Sequence, residues 1–294
     1  MTQIENIKIK NFNKVKFQKK IKSLLDQIIY EDNHIIKSLR NTYKDAWDIK
    51  KIKKYKKFFN VALIGMGGSI MGSRSIYTFL KNKIKKKFYF IDNFDNDKIE
   101  EIKTKNKLNL IISKSGNTLE TIVNSNVIIN KATKNIFITE NKSSYLKSLA
   151  NNLKSDVVDH NNFIGGRYSV LSEVGMLPAM LMGLKVSKFR KFNELVKNKY
   201  FLNSIINSVS TIVDFTKKNK SNSIILNYDE KSLDFFYWYQ QLVAESLGKK
   251  SKGILPIVSR MPQDNHSLMQ LYLDGTKNNF YTFFFTKEIF SQKI

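Results

Sequence analysis

The chain has 294 residues, of which 42% are apolar, with 50 Lys or Arg against 25 Asp or Glu and a formal net charge of +25. This content suffices for one large core or two modest ones and excludes a disordered chain. No apolar run reaches the roughly 18 residues of a membrane span, the N-terminus lacks the apolar stretch of a secretory signal, and the absence of cysteine removes disulfide and thiolate chemistry. A cytoplasmic protein is expected.

The charge invites a nucleic-acid reading, but only Arg40, Arg74, Arg167, Arg190 and Arg260 are arginines. The remaining basic residues are lysines spread along the whole chain, mostly on faces expected to be solvated. A base-reading surface would favour Arg and interleaved aromatics. Neither a nucleic-acid nor a membrane partner is expected, although the positive field can attract a phosphorylated substrate.

In chain order, residues 1–57 are lysine-rich. Ile21, Leu24, Leu25, Ile28 and Ile29 recur at helical spacing, which predicts an N-terminal helical segment. The character changes at Phe58, where residues 58–65 read as a buried strand ending in glycine. Residues 65–73, GMGGSIMGS, form a turn that opens a helix to Leu80. Strands follow over 88–91, 108–112 and 135–139, separated by helices over 97–105 and 119–131. Alternation at this spacing predicts a parallel sheet with helices on both faces, over residues 58–165. Residues 141–220 read as mainly helical after a turn at Ile164–Ser169, with a helical connection over 166–220. A second α/β unit is predicted over 221–294, with strands at 223–227, 253–258 and 280–285 and a helix over 232–246.

Two stretches carry chemistry. Leu108 to Val123, LNLIISKSGNTLETIV, is a strand that empties into hydroxyls, a glycine and a helix start. Unpaired N–H groups at such a helix N-terminus favour an anion, and a phosphate is the natural guest. The plainer reading makes Thr118 an ordinary N-cap. The turn at Gly65 suggests a dinucleotide fingerprint with Asp92 as the ribose acid, but Ile70 stands where the last glycine belongs, and no G-K-[ST] closes a P-loop. What remains is Gly65, Gly67, Gly68 and Ser69, a second lip that brings backbone and a hydroxyl close to a small ligand.

GMGGS followed by SKSGNTLET resembles a sugar isomerase domain, a module that binds phosphosugars. IGGRYSVLSEVG (164–175), AESLGK (244–249) and QDNHSLMQLYLDGTK (263–277) resemble further blocks of the glucose-6-phosphate isomerase family, in the same order. The resemblance implies an α/β fold of two doubly wound parallel-sheet domains. It also implies an aldose–ketose isomerase that interconverts glucose 6-phosphate and fructose 6-phosphate, with no cofactor and no metal. Gly68, Ser69, Ser113, Lys114, Ser115 and Thr118 would bind the phosphate. Glu245 would be the base, Gln241 a substrate contact one helical turn before it, and Arg167 the cation beside the enediolate. His266 would assist ring opening from the neighbouring subunit of a homodimer.

The chemistry asks for these residue types independently. Proton abstraction beside a carbonyl needs a base tuned toward neutrality. Ring opening needs a group that titrates near pH 7, and an enediolate needs a fixed cation. Singly, each residue has a plainer reading: a solvated Glu245, a loop histidine at 266, an ion-paired Arg167. Leu242, Val243 and Leu247 around Glu245 predict a half-buried carboxylate, and the apolar residues after His266 predict a polar tip on a buried element. His34 is expected to be structural or exposed and His160 structural, and Phe235, Phe236 and Tyr239 to be core.

Glu173 stands where the family usually has a small residue or proline. The family also carries a C-terminal block with an active-site lysine that Lys277, Lys287 and Lys293 do not match. The second domain is therefore expected to be incomplete and the chain as given weakly active or inactive. The alternatives are a phosphosugar-binding module without catalysis, and an isomerase that also accepts mannose 6-phosphate.

Overall fold

The structure is a computed structural model that describes residues 16–103, 106–130 and 132–287. In chain order these form α1 (Gln18–Tyr30), α2 (His34–Ser38), α3 (Ile49–Lys53), β1 (Asn60–Gly65), α4 (Met71–Phe79), β2 (Lys87–Ile91), α5 (Asn96–Lys103), β3 (Lys107–Ile112), α6 (Leu119–Ile128) and β4 (Lys134–Thr139). Then come α7 (Tyr145–Asn152), β5 (Asp156–Asp159), α8 (Glu173–Leu181), α9 (Phe192–Leu195), α10 (Lys199–Lys217), β6 (Asn222–Asn227), α11 (Leu233–Leu247), β7 (Leu255–Arg260), α12 (Met269–Asp274) and β8 (Asn279–Phe284). By its packing the chain divides into one unit of Asp32–Asn193 and another of Met1–Glu31 with Glu194–Ile294.

This division differs from the boundaries expected from the sequence. The lysine-rich start does not behave as one segment. α1 packs on α10, with the Gln18 amide donating to Asn207 at 2.7 Å, whereas α2 and α3 belong to the first sheet's unit. Residues 1–15 of that segment lie outside the described residues, as do residues 104–105, residue 131 and residues 288–294, which include Lys293.

In the unit Asp32–Asn193, five parallel strands run in the order β2-β1-β3-β4-β5. β1 and β3 are central, and β3 is buried along its whole length. Successive side chains feed opposite faces. Val61, Leu63, Leu108, Leu110 and Ile112 join Val174, Leu177 and Leu181 of α8 in one core. Ala62, Ile64 and Ile111 join Ile99, Ile102, Ile128 and Leu146 of α5, α6 and α7 in the other. Covering both faces explains why these strands read as continuous apolar runs rather than alternating ones. Burial of each such Leu or Ile contributes about 1.5–3 kcal/mol.

β5, with the sequence DVVD, falls inside the stretch read as helical. Its four residues, two of them acids at the ends, carry no strand signal. One lysine departs from the solvated pattern expected of most. Lys107 is 2% exposed, and its ammonium donates to the Ile102 carbonyl at 2.8 Å at the C-terminal end of α5, where a cation meets the negative end of the helix dipole.

In the other unit, β7, β6 and β8 form a parallel three-stranded sheet with β6 in the middle. Ile224, Leu226 and Met261 form its core, with Ile257, Met269 and Tyr272 packed against them. Two expectations need correction here. Of the α11 aromatics only Phe236 is buried, seated against Phe284 with ring centroids 4.8 Å apart, while Phe235 is exposed. α12 is not a buried element, since Leu271 and Leu273 face solvent.

Candidate active site

The strand order 2-1-3-4-5 reverses direction between β1 and β3, and ligands of such sheets bind at the carboxyl ends of the strands at that switch point. Both candidate loops lie there. Gly65 ends β1 in register with Ile112 at the end of β3. A Cβ on Gly65 would stand 2.9 Å from the Ile112 carbonyl oxygen, so the close approach of the two strands calls for glycine.

After β3 the chain turns sharply. Gly116 has φ +69°, and a Cβ there would stand 2.1 Å from the Ser144 hydroxyl. Asn117 accepts from the Tyr145 N–H at 2.9 Å, and the Gly116 carbonyl accepts from Leu146, so the loop is fastened to the start of α7. Thr118 occupies the N-cap of α6 but does not cap it. Its hydroxyl is 2.9 Å from that of buried Ser113, which also accepts from the Gly116 N–H at 3.2 Å. The first N–H groups of α6 therefore have neither an intrahelical acceptor nor a side-chain cap, which is the geometry of an anion cradle. The Ser115 hydroxyl accepts from the Asn117 N–H at 3.1 Å and steadies the same turn.

Lys114 is held differently from what its place in the motif suggests. Its ammonium donates to the Asn162 carbonyl at 2.8 Å and lies 3.6 Å from Glu140, a buried carboxylate that also pairs with Lys142. Burial would push the Glu140 carboxyl up, but the Lys142 and Lys114 ammoniums prevail and hold it below its ordinary value. His160, 2% exposed, lies in the same region. Its Nδ1 faces the Asn161 carbonyl at 3.0 Å, its Nε2 is buried without a partner, and burial lowers its pKa. Asp92 is not open to a ribose, because Arg74 pairs with it at 2.5 Å.

The second lip is joined to a third loop. A 3-10 turn spans Gly67–Ser69 and another spans Gly166–Leu171, and the two meet backbone to backbone. A Cβ on Gly68 would lie 2.2 Å from the Gly166 carbonyl carbon and 2.6 Å from the Arg167 nitrogen. The Ser169 hydroxyl, fully buried, reaches the Gly166 carbonyl at 2.6 Å and the Gly68 carbonyl at 3.4 Å. The structure thus brings Gly68 to Arg167, whose guanidinium also lies 4.6 Å from the Tyr168 ring centroid. Glu173 opens α8 buried. The Tyr43 hydroxyl donates to it at 2.8 Å, and burial, with the Asp45 charge adding, raises its pKa.

Gln241, Glu245 and His266 belong to the other unit. Gln241 and Glu245 sit one turn apart on α11, and the Gln241 amide donates to Glu245 at 2.8 Å. Glu245 is exposed rather than half-buried, as is Leu247 beside it. His266 follows the 3-10 turn Gln263–Asn265, donates its N–H to the Gln263 carbonyl at 3.1 Å, and is exposed. Among the described residues, no cluster of three or more His, Asp or Glu is placed to hold a metal ion.

Residues not singled out from the sequence also build the site. Asn117 ties the cradle to α7, Ser169 bonds the two glycine turns, and Arg190 holds the Leu171 carbonyl. Asn117 stands in a glycine turn, where asparagine is common, but its bond to Tyr145 is not local. Ser169 and Arg190 carry no local signal.

The chain matches the family model for phosphoglucose isomerase over residues 19–259. It is 35% identical to the glucose-6-phosphate isomerase of Methanocaldococcus jannaschii, over 97% of this chain and 73% of that protein. It is 30% identical to the glucose-6-phosphate isomerase of Campylobacter jejuni, over 87% of this chain and 67% of the relative. In fold it is similar to a hypothetical protein from Thermus thermophilus, with a TM-score of 0.73 at 21% identity over 91% of this chain and 70% of that one. It is likewise similar to a glucose-6-phosphate isomerase from Chlamydia trachomatis, with a TM-score of 0.66 at 21% identity over 92% of this chain and 58% of that one. With the ordered motifs and the match across most of its length, the chain belongs to the phosphoglucose isomerase family.

Proposed function

We propose that the chain carries its family's aldose–ketose isomerisation of glucose 6-phosphate and fructose 6-phosphate. The carrying observation is the uncapped start of α6 beside the Ser113–Thr118 hydroxyl pair, at the switch point of a doubly wound sheet. In this reading Gly68, Ser69, Ser113, Ser115 and Thr118 anchor the phosphate with backbone N–H groups and hydroxyls. Lys114 contributes its charge from its place against Asn162 and Glu140. Glu245, oriented by Gln241, moves a proton between C1 and C2. Arg167 stabilises the enediolate oxygen. His266 assists ring opening from the partner subunit of a homodimer. The setting is cytoplasmic sugar-phosphate metabolism. The test is conversion of fructose 6-phosphate to glucose 6-phosphate, read by a coupled dehydrogenase. Binding of the sugar phosphate with no turnover, in a chain extended to the length of its relatives, would favour the non-catalytic module instead.

A further inference from the structure

We infer that Arg190 is a positioning residue for Arg167, holding the far end of the turn that carries it. The inference rests on the role proposed above for Arg167, and its geometry stands apart from that role.

Gly166–Leu171 is a six-residue 3-10 helix. Runs beyond about three or four residues are uncommon because the hydrogen bonds are poorly aligned, so a longer run needs ties from outside. The Gly166 end has them in Gly68 and Ser169. At the Leu171 end Arg190 supplies the tie: Nε donates at 3.0 Å and Nη2 at 2.9 Å to the one carbonyl oxygen of Leu171.

The other donors of the guanidinium are also committed. Nη1 donates to Asp45 at 3.0 Å and to the Tyr43 carbonyl at 3.4 Å, and Nη2 completes the fork to Asp45. The guanidinium lies 4.8 Å from the Tyr43 ring centroid. Arg190 is 4% exposed, so this is an internal strut. Tyr43 in turn bonds Glu173, two residues beyond Leu171. The short segment Tyr43–Asp45 thus grips the chain on both sides of Ser172, and Arg190 is the piece that joins it to the turn. Only a planar fork with five donors can serve a carbonyl and a carboxylate together, and the point charge of a lysine cannot. None of these contacts reaches the Ser113–Thr118 cradle after β3, so their loss should loosen the turn that carries Arg167 and leave that cradle alone.

The test uses the full chain with Arg190→Lys, and Asp45→Asn as the second variant should the first not fold. Two readings are taken. Amide hydrogen exchange over residues 166–172 should quicken by about tenfold or more, while residues 108–118 keep the wild-type rate. By calorimetry, a five-carbon aldonohydroxamate 5-phosphate, which mimics the enediolate, should bind about tenfold more weakly, while inorganic phosphate stays within about twofold. Unchanged exchange at 166–172 overturns the positioning role whatever the enzyme does. Faster exchange with unchanged hydroxamate affinity, or equal weakening of hydroxamate and phosphate, overturns the link to Arg167. If the wild-type chain binds the hydroxamate no more tightly than phosphate, the isomerase reading fails and the inference falls with it.

Discussion

Thr118 turns its hydroxyl toward Ser113, 2.9 Å away, and leaves the start of its own helix uncapped. An N-cap hydroxyl is usually used on the helix it begins, and giving it up costs about 1 kcal/mol. A bound phosphate recovers that loss, because the same N–H groups then find an anion. Thr118→Val should therefore weaken inorganic phosphate and fructose 6-phosphate by roughly 10–150-fold, the loss of one charge-assisted hydrogen bond, with little change in thermal stability. Calorimetric titration with each ligand checks it. An unchanged dissociation constant would mean that the phosphate lies elsewhere.

Gly68→Ala should be far more damaging than its size suggests. The added carbon would meet the Gly166 carbonyl carbon at 2.2 Å, backbone against backbone, with no flexible side chain to yield. Overpacking of this kind costs roughly 1–3 kcal/mol or more. The variant should melt several degrees lower and lose activity even where it is folded. Differential scanning calorimetry and the coupled assay on the same sample measure both.

Glu245→Gln should lower turnover by roughly 10²–10⁴-fold, the usual contribution of a positioned general base, with phosphate affinity unchanged. The glutamine keeps the shape and a partner for Gln241 at the same position on α11. A rate within a few-fold of the unsubstituted chain would remove Glu245 from the chemistry.

Stability should fall on the acid side of neutrality because of His160. Burial holds its pKa below the ordinary 6.5, so between the two values the unfolded chain binds more protons than the native one. The stabilisation is complete above about 6.5 and is lost as pH falls toward the native value. The Lys114 ammonium, which adds to that lowering, makes a second positive charge there unwelcome. Glu173 works the opposite way. Its raised pKa means that stability present below 4.5 is lost as pH rises through the native value. Urea midpoints across pH 5–8 for the unsubstituted chain and His160→Gln should differ chiefly in their acid limb.

Tyr43→Phe should destabilise the Asp32–Asn193 unit by about 1–3 kcal/mol. It removes the donor at 2.8 Å from a buried carboxylate whose other oxygen already has no partner. Urea unfolding followed by far-UV circular dichroism reads the change.

The parallel sheet was legible because its strands are buried on both faces, and runs such as Leu108–Ile112 leave no other account of so many apolar residues together. The anion cradle was legible because hydroxyls and glycine cluster where a strand meets a helix. β5 was not, since an edge strand of four residues that begins and ends with aspartate has no periodicity to read. The exposure of Glu245 and of α12 was missed for a different reason. Apolar neighbours in sequence predict burial only if the helix face they share is covered, and tertiary packing decides that. The struts formed by Lys114, Ser169 and Arg190 join residues far apart in the chain, so no local pattern announces them.

The backbone contact of Gly68 with Gly166 leaves no room for the Gly67–Ser69 and Gly166–Leu171 turns to slide past one another. The distance from the Gly68–Ser69 lip to the Arg167 backbone is thereby fixed, while the aim of the guanidinium is left to the far end of its turn. A rigid spacing of that kind acts as a ruler laid along the substrate. In the proposed site it would favour a sugar phosphate whose reacting carbons lie at one particular reach from its phosphate over shorter chains whose phosphate fits equally well.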